Sequence, residues 1–490
     1  MAKIVTVIDI GSNSVRMVIY EKTSRFAFHL LHEEKSKVRI SQDAYKHDGY
    51  LQEIPMQRTF DALKDFLQIS ESFKSRKILC VATSALRDAP NKKQFLQKVK
   101  SKLKLNIKII SGEKEAYFGA ISCANLLPEQ TNAMSIDIGG GSTEIAFINK
   151  NSVSNTLSLK LGTVRLKELY FDHNDIEGAK RYVDSELEKL PPLKVSTLIG
   201  IGGTFRAVSS AILKRKNYPL NKLHAFEYGV DLFSEYIQSV LDAKDTTTLK
   251  ELGIKSERFD VIKPGVFILK RVIKKLLVKN IITSGVGVRE GVYLADLLRN
   301  SKHKFPANYN TSVRYLIDSH IQNKHFSNNL NALAKKIFDL THHYFGIDKK
   351  YRYELSIAAK LYPAGSSVHF YSQNKHTYYL IQSALEYGFT HENITLIATL
   401  TKYAKSKLPS SVHMQLYKEL LPDNYTTNVL SYILSLSISL LSHRPRDIDF
   451  TLEFKQDTLT ILSQNKLYIT KEAVKKLQCS HKDFQVVFNS

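Results

Sequence analysis

Tryptophan is absent from this sequence of 490 residues, and cysteine occurs only three times, at Cys80, Cys123 and Cys479. The cysteines lack the paired spacing of a zinc site or of a disulfide framework, which excludes a small disulfide-stabilised secreted domain. The amino terminus also lacks the apolar core and cleavage site of a secretion signal, because Met1 to Lys3 lead directly into a strand pattern. We therefore expect a cytoplasmic protein.

Long apolar runs are missing as well. The most apolar stretch, residues 429–441, is interrupted by four serines. It is also shorter than the roughly 20 residues that a helix needs to cross a bilayer. We predict a buried helix there and expect no membrane partner.

Acidic residues are scarce relative to basic ones. The chain has 47 Asp and Glu against 70 Lys and Arg, which gives a net charge of +23. A basic field of this size raises the local concentration of anionic polymers. Nucleic acid, polyphosphate and an anionic membrane surface all stay open at this point, as does an ordinary solvated surface.

Two kinds of periodicity divide the chain. Over the first 300 residues, strand-like runs alternate with helical spacing, as at residues 56–69 and 93–103, and this alternation is typical of α/β folds. The polar segment at residues 301–310 predicts a linker. Helical spacing dominates from there to about residue 420, and residues 449–469 alternate like short strands.

A short sequence is repeated in the first part of the chain. IDIGSNS at residues 8–14 joins two β-branched runs, and SIDIGGGSTE at residues 135–144 does the same. The spacing is too long for a solenoid repeat, so we predict two related α/β lobes with a substrate cleft between them. We place lobe I at residues 1–122, lobe II at residues 123–300 and a helical module at residues 311–490.

Glycine-rich turns follow several of the strand-like runs. Glycine lets backbone N–H groups converge on one ligand, because no Cβ blocks positive φ or close approach. Phosphate oxygens satisfy such donors, and nearby hydroxyls add to them. One such turn is usually only a turn, but the repetition favours a phosphate cradle. The predicted phosphate-binding residues are Gly11, Ser12, Asn13, Ser14, Gly139, Gly140, Gly141, Ser142, Thr143, Gly202, Gly203 and Thr204.

Asp9 and Asp137 occupy matching positions two residues before the glycine turns, near strand ends where ligands collect in α/β proteins. Capping of the turn is the simplest explanation for each. Carboxylates beside bound phosphate, however, require a cation between them, and magnesium prefers oxygen ligands. We therefore predict that Asp9, Asp137 and Glu144 bind Mg²⁺ or another divalent cation.

Three charged residues, Glu113, Lys114 and Glu115, stand where a helix is predicted to begin. Acidic side chains are favoured at a helix amino terminus in any protein, so capping alone explains them. The alternative is that one glutamate takes a proton from the water that attacks phosphorus. The residue pattern leaves both explanations open and does not choose between the glutamates.

Seven short motifs occur in a fixed order along the chain: IDIGSNS at residues 8–14, ATSALR at 82–87, SGEKEA at 111–116, IDIGGGSTE at 136–144, LGTVRL at 161–166, GGT at 202–204 and SGVGVREG at 284–291. Together they resemble the Ppx/GppA family of exopolyphosphatases and guanosine pentaphosphate phosphohydrolases, within the superfamily of sugar kinases, actin and heat-shock chaperones. The resemblance covers most of the chain. The serine-asparagine-serine turn and REGV at residues 289–292 distinguish this family from sugar kinases and chaperones.

This resemblance implies an α/β fold of two actin-like (ribonuclease H-like) lobes with an interlobe cleft, then an α-helical HD-like module and a small C-terminal part. It implies that Glu115 is the catalytic base, that Glu144 assists it and that Arg87 binds phosphate. Lys114 stands where the family usually has the first glutamate of a pair. The second glutamate of that pair, Glu115, is the one to which the resemblance assigns the role of catalytic base. The implied activity is magnesium-assisted release of terminal phosphate from polyphosphate, guanosine pentaphosphate or both.

The helical module departs from an active HD site. LYPAG at residues 361–365 replaces the adjacent His-Asp pair, and Ala404 stands where a later histidine is expected. Tyrosine, proline and alanine cannot replace those metal ligands. We therefore predict a non-catalytic module that holds polymer or forms a dimer contact, and we expect a homodimer. The lysines available to line a path for a long anion are Lys349, Lys350, Lys375, Lys402, Lys405 and Lys407.

Two other functions stay open on these motifs. A kinase or ATP-driven switch of the same superfamily would need a nucleotide and an acceptor. A protein that senses polyphosphate or an alarmone without cleaving it would keep the cradle, although Glu115, Asp137 and Glu144 argue for turnover. We expect the basic surface to bind nucleic acid, if at all, only without sequence specificity.

Overall fold

The computed structural model describes residues 3–192, 194–405, 407–479, 481 and 483–489. Met1 and Ala2, at the amino terminus considered above, lie outside the described residues. The chain divides into two compact units, Met1–Tyr309 and Asn310–Ser490, which are described separately.

The first unit contains two β-sheets and the helices that flank them. Its strands are β1 (Ile4–Ile10), β2 (Val15–Lys22), β3 (Phe28–Ser36), β4 (Lys77–Ala82), β5 (Ile107–Ile109), β6 (Ala133–Ile138), β7 (Thr143–Asn149), β8 (Ser152–Leu159), β9 (Thr197–Ile201), β10 (Phe226–Gly229) and β11 (Asn280–Thr283). Its helices are α1 (Glu53–Ser72), α2 (Ser84–Asp88), α3 (Lys92–Leu103), α4 (Gly112–Leu126), α5 (Thr163–Leu169), α6 (Ile176–Leu187), α7 (Gly202–Arg215), α8 (Val230–Asp242), α9 (Thr246–Glu251), α10 (Ile262–Leu276) and α11 (Val288–Leu297). Short 3-10 helices lie at Phe171–His173, Ser256–Arg258 and Arg299–Ser301.

The two sheets share one strand order. The first runs β3-β2-β1-β4-β5, and the second runs β8-β7-β6-β9-β11 with β10 added at its outer edge. In each sheet the hairpin strands pair antiparallel. The strands that follow them pair parallel. The repeated sequence therefore folds into a repeated sheet, and the α/β fold class predicted from the sequence is confirmed.

The β-branched residues explain why β1 and β6 are central strands. Ile8 and Ile136 are fully buried, each in the core of its own sheet. Such side chains pack well on a pleated surface that is covered on both faces. Asp9 and Asp137 are the acidic residues of these two strands, and each stands one residue before the end of its strand.

Helices α4 and α11 approach each other closely at a glycine. A Cβ atom at Gly291 would lie 1.9 Å from the carbonyl oxygen of Phe118, so only a hydrogen atom fits there. This contact fixes α4, whose first turn reaches the cleft described below.

We expect Gly291→Ala to destabilise the protein by about 1–3 kcal/mol, because the added methyl group forces two helix backbones apart. Gly229→Ala is the matched control, since nothing lies within 4 Å of the Cβ position there. Thermal denaturation of the two full-length variants measures the difference. Equal Tm values would contradict the close packing of α4 on α11.

The second unit is mostly helical and has one apolar core. Its helices are α12 (Thr311–His320), α13 (Lys324–Thr341), α14 (Arg352–Leu361), α15 (Gln373–Ala384), α16 (His391–Lys402), α17 (Ser411–Leu416), α18 (Asn424–Leu440) and α19 (Tyr468–Lys475). Short 3-10 helices lie at Lys349–Tyr351 and Tyr362–Ser367. A small sheet, in the order β12-β13-β14, is formed by β12 (Thr451–Lys455), β13 (Thr458–Leu462) and β14 (Gln485–Asn489).

Two predictions for this unit can be compared with the structure. The apolar stretch at residues 429–441 lies almost entirely in the buried helix α18, as predicted. Residues 449–469 contain β12 and β13, but their last residues already belong to α19. Burial of Thr470, with Val474 and Leu477 partly buried behind it, follows helical spacing and explains that change. Among the described residues, none of the helices combines the length and apolarity that a bilayer crossing requires.

Candidate active site

The carboxyl ends of β1 and β6 meet in one cleft of the first unit. The cleft gathers most of the residues predicted from the sequence, although they lie far apart along the chain. Those that line it are Asp9, Gly11, Ser12, Asn13, Ser14, Glu115, Asp137, Gly139, Gly140, Ser142, Glu144, Gly202, Gly203 and Thr204.

The two repeated turns have the same hydrogen bond and face each other. The amide of Gly11 donates to the carbonyl oxygen of Ser14 at 3.1 Å, and the amide of Gly139 donates to that of Ser142 at 2.9 Å. A Cβ atom at Gly140 would lie 2.8 Å from the Cβ of Ser12. Glycine is therefore required where the two turns meet, which leaves backbone N–H groups from both sheets close to one ligand position.

Gly202 is a second position where only glycine fits. Its φ of +83° lies in the left-handed region, and a Cβ atom there would stand 2.3 Å from Oδ1 of Asp137. The first turn of α7 can therefore approach Asp137, and the amino terminus of that helix points a positive dipole into the cleft.

The first turn of α4 separates the two glutamates that the sequence could not rank. Ser111 is the N-cap and accepts a hydrogen bond from the amide of Lys114. Glu113 is exposed, and hydrogen bonds to its own backbone and to Ser111 lower its pKa. Glu115 is buried and lines the cleft. Glu113 thus contributes to the cap of α4, and Glu115 is the glutamate that lines the cleft.

Glu115 is held by an arginine on α2. Nη1 of Arg87 donates to Oε2 of Glu115 at 3.0 Å, while Nη2 lies 3.4 Å from Oγ of Ser142. Burial raises the pKa of Glu115 well above its usual value, the charge of Glu144 raises it further, and Arg87 lowers it. A carboxyl group with a raised pKa is a better proton acceptor once it is ionised.

Glu144 lies on β7, directly opposite Asp137 in the hairpin register. Oγ of Ser158 donates to its Oε1 at 2.9 Å. Burial raises the pKa of Glu144 to about 7, with hydrogen bonds from Ser142 and Ser158 acting against the rise. The cleft therefore contains two buried carboxyl groups with raised pKa values, which is a common feature of active sites.

Three of the predicted residues lie outside the lining of the cleft. The hydroxyl of Thr143 donates to the carbonyl oxygen of Leu161 at 2.6 Å and is fully buried. The space beside Gly141 is filled by the hydroxyls of Tyr45 and Ser84. Arg87 lies behind Glu115 and Ser142, so its direct contact with phosphate stays a prediction.

Four arginines that were not predicted as site residues line the same cleft: Arg16, Arg206, Arg258 and Arg289. Burial lowers the pKa of Arg16 to about 10, and the charges of Arg289 and Arg206 contribute. Burial and the charge of Arg289 also lower the pKa of Arg206. Cations collected at this density favour a polyanionic ligand.

The surrounding structure holds these arginines in place. Arg206 donates from Nε to the carbonyl oxygen of Ser284 at 2.9 Å, and Arg289 donates from Nη1 to Glu33 at 2.5 Å. Arg258 covers Gly203, where a Cβ atom would collide with its guanidinium group. The guanidinium groups are thus positioned before any ligand binds.

Three of the four arginines share a signal in the sequence. Arg16, Arg206 and Arg289 each stand two residues after the end of a glycine turn, which is Ser14, Thr204 or Gly287. Arg258 has no such signal, because a 3-10 helix distant in the sequence brings it to the cleft.

Asp9 provides a test of whether a divalent cation fits this cleft. In the described part of the chain, Oδ1 of Asp9 is buried and has no hydrogen-bond partner. Burial raises the pKa of Asp9 to about 6 and also raises that of Asp137. Within the described residues, no three His, Cys, Asp or Glu side chains form a set that could hold a metal ion. Magnesium needs only one or two carboxylates when water and phosphate complete its shell, so these residues fit it.

The positions of the HD ligands in the second unit are occupied by apolar packing. Tyr362, Ala364 and Ala404 are all buried in its core. His342 stacks on Phe338 with ring centroids 5.2 Å apart. The absence of an HD metal site from this module stays a prediction.

Comparison with known proteins gives one family. The sequence model of the Ppx/GppA phosphatase family matches residues 18–300, and that of Ppx/GppA phosphatase domain III matches residues 310–482. A bifunctional 3-dehydroquinate synthase/phosphatase of Fusobacterium nucleatum is 33% identical over 54% of this chain and 42% of its own length, so the match spans less than half of that relative. The guanosine-5'-triphosphate,3'-diphosphate pyrophosphatase of Photobacterium profundum is 27% identical over 82% of this chain and 80% of its own.

Solved structures agree with this assignment. A Ppx/GppA family member from Aquifex aeolicus is 26% identical, has a TM-score of 0.53 and covers 61% of this chain and 99% of its own. An exopolyphosphatase from Cytophaga hutchinsonii has a TM-score of 0.57 at 23% identity, covers 62% of this chain and 100% of its own, and shows the shared fold.

Proposed function

Since the chain belongs to the Ppx/GppA phosphatase family, we propose that it releases terminal phosphate from inorganic polyphosphate, guanosine pentaphosphate or both. The observation that carries this proposal is the cleft of the first unit. Glycine turns from two sheets, four arginines and two buried glutamates with raised pKa values all line it. The oxygens of a terminal phosphoanhydride would bind to the turns and the arginines. Its phosphorus atom would be attacked by the water that a glutamate activates.

In the proposed mechanism, the amides of the two turns and the arginines bind the terminal phosphate and the one next to it. Ionised Glu115 accepts a proton from a water molecule as the water oxygen attacks phosphorus. The bond from phosphorus to the bridging oxygen then breaks, and the shortened chain leaves with that oxygen. The charge of Glu144 raises the pKa of Glu115 and so increases its proton affinity. Most of the rate enhancement in such reactions comes from positioning and electrostatics.

We propose that Asp9, Asp137 and Glu144 would hold the divalent cation. The unpartnered Oδ1 of Asp9 supports this assignment. Bound there, the cation would neutralise charge on the phosphoanhydride. We expect chelation of divalent cations to abolish phosphate release.

The two substrates share the reacting group, so the cleft alone does not rank them. The net charge of +23 favours the polymer, because it attracts a long polyanion more strongly. Measuring kcat/KM for long-chain polyphosphate and for guanosine pentaphosphate would rank them. If the folded protein released phosphate from neither substrate, the proposal would be wrong.

We expect kcat/KM to rise with pH as Glu115 loses its proton, because a protonated carboxyl group cannot accept one. The charge of Glu144 raises the pKa of Glu115, so Glu144→Gln is expected to move the rising limb to lower pH. Arg87 lowers that pKa, so Arg87→Gln is expected to move the limb to higher pH. A pH profile for each variant tests this, and shifts in the same direction would contradict the assignment of the limb to Glu115.

A further inference from the structure

One region of the second unit has no acidic residues. The sequence contains no Asp or Glu at residues 355–385 or at residues 393–418. These two segments include α15, most of α16 and α17, and α15 packs against both α16 and the 3-10 helix Tyr362–Ser367. On the adjacent helix α12, Asp318 is already ion-paired with Arg314 and Lys324. The two segments therefore carry an excess of positive charge, and the nearest carboxylates in sequence are Glu354, Glu386, Glu392 and Glu419 at their borders.

The charge comes from lysines that lack acidic partners. Lys402 lies over the rings of Tyr378 and Tyr403, with its Nζ 4.6 and 5.4 Å from their centroids. Its Nζ is also 3.2 Å from Nδ1 of His413. Burial and the charge of Lys402 lower the pKa of His413 to about 4, so this histidine is neutral. Lys375, Lys405 and Lys407 are exposed, and in the described part of the chain none of the four lysines is ion-paired with a carboxylate.

Exposed aromatic rings stand beside these lysines. Phe370, Tyr371 and Tyr379 are 70%, 74% and 70% exposed. The side chain of Asn374 donates to the carbonyl oxygen of Lys402, which ties the start of α15 to the end of α16. The rings around the start of α15 and the lysines around the end of α16 therefore lie in one region, which we call the acid-free face. It consists of His369, Phe370, Tyr371, Lys375, Tyr379, Lys402, Lys405 and Lys407.

We propose that the acid-free face binds single-stranded nucleic acid. Lysines without counterions meet the phosphates, and bases stack on the exposed rings, as in surfaces that bind single strands without sequence preference. This proposal does not depend on the activity proposed for the cleft.

The aromatic rings decide between this ligand and two others. Inorganic polyphosphate offers no base to stack, so it would engage the lysines and leave the exposed rings of Phe370, Tyr371 and Tyr379 unused. Phe370 and Tyr371 also contact each other edge to face, with centroids 5.6 Å apart. A membrane would require burial of the polar residues Ser366, Ser367 and Ser372, which are exposed beside the same rings. Single-stranded nucleic acid offers phosphates to the lysines and bases to the rings, and it leaves the serines in contact with water.

The test uses the full-length protein and a fluorescent 20-mer of oligouridylate, with binding followed by anisotropy as salt increases. We expect Phe370→Ala/Tyr371→Ala to weaken binding by about 10- to 100-fold, on the basis of about tenfold for each stacked base. Tyr468→Ala is the matched control, because Tyr468 is 75% exposed but lies on α19, outside this face. Lys375→Gln/Lys405→Gln should reduce the slope of log K against log salt by about 0.7 for each phosphate that a lysine no longer neutralises.

Further measurements on the ring variant separate the other ligands. Affinity for long-chain polyphosphate and phosphate release are expected to be unchanged in the ring variant, and its melting curve should match that of the native chain. Absence of oligouridylate binding by the native chain would overturn the proposal. So would an equal loss of polyphosphate affinity in the ring variant, or binding to anionic vesicles that the ring variant abolishes. If the double variant fails to fold, Tyr379→Ala, with its exposed side chain, tests the same prediction.

Discussion

Glu115→Gln is expected to lower phosphate release by about 10²- to 10⁴-fold, the usual contribution of a general base. Glutamine keeps the shape of the side chain but cannot accept a proton from water. Arg87 loses its carboxylate partner at 3.0 Å but keeps Ser142 and the carbonyl oxygen of Ile110. We therefore expect the loss to appear in kcat, with substrate binding largely kept.

Glu113→Gln is the matched control for this variant, because it makes the same chemical change two residues earlier in the same helical turn. Glu113 is exposed and serves the cap of α4, so its replacement should leave kcat unchanged. Both variants need steady-state kinetics on one substrate at saturating concentration. Equal losses in the two variants would indicate damage to α4, and undiminished activity in Glu115→Gln would remove Glu115 from its proposed role.

Arg16→Gln is expected to raise KM by about 10- to 100-fold, because hydrogen bonds to a charged group contribute about 1.5–3 kcal/mol each. Arg16 lies on β2 opposite Asp9, where it can reach phosphate held by the glycine turns. An arginine that binds phosphate before and during the reaction changes KM more than kcat.

The control for this loss of charge is Arg181→Gln, on the exposed side of α6. It lowers the net charge by the same amount without touching the cleft. Similar increases in KM for both variants would show that Arg16 acts only through the overall field. A KM increase restricted to Arg16→Gln would support direct contact with substrate.

Local sequence signals were sufficient to predict the framework of the site. β-Branched runs and glycines gave β1, β6 and the turns after them, because strand formation and tight turns depend on nearby residues. The repeated turn also predicted correctly that two related lobes exist. These features need no knowledge of which parts of the chain meet in space.

The direction of individual side chains was harder to predict. Thr143 and Glu144 are neighbours on β7, and successive residues on a strand point to opposite faces. Once Glu144 is assigned to the cleft, Thr143 must face away from it, as the structure shows. This alternation was available in the sequence and would have excluded Thr143 from the phosphate-binding set.

The arginine cluster shows what could not be predicted from local patterns. Arg258 reaches the cleft only because a distant 3-10 helix packs over Gly203. The contact of Arg87 also depends on tertiary structure, because its partner Glu115 lies on a different helix. Interactions between residues that are far apart along the chain require the fold itself.

We propose that this protein uses water to cleave a terminal phosphoanhydride in the cleft of its first unit. The most direct measurement is release of phosphate from polyphosphate and guanosine pentaphosphate in ¹⁸O-labelled water, with a divalent cation or a chelator. The account predicts cation-dependent release of phosphate that carries one solvent oxygen, and loss of this release in Glu115→Gln. Tight binding of either substrate by the folded protein without any phosphate release would contradict the claim and indicate a sensor.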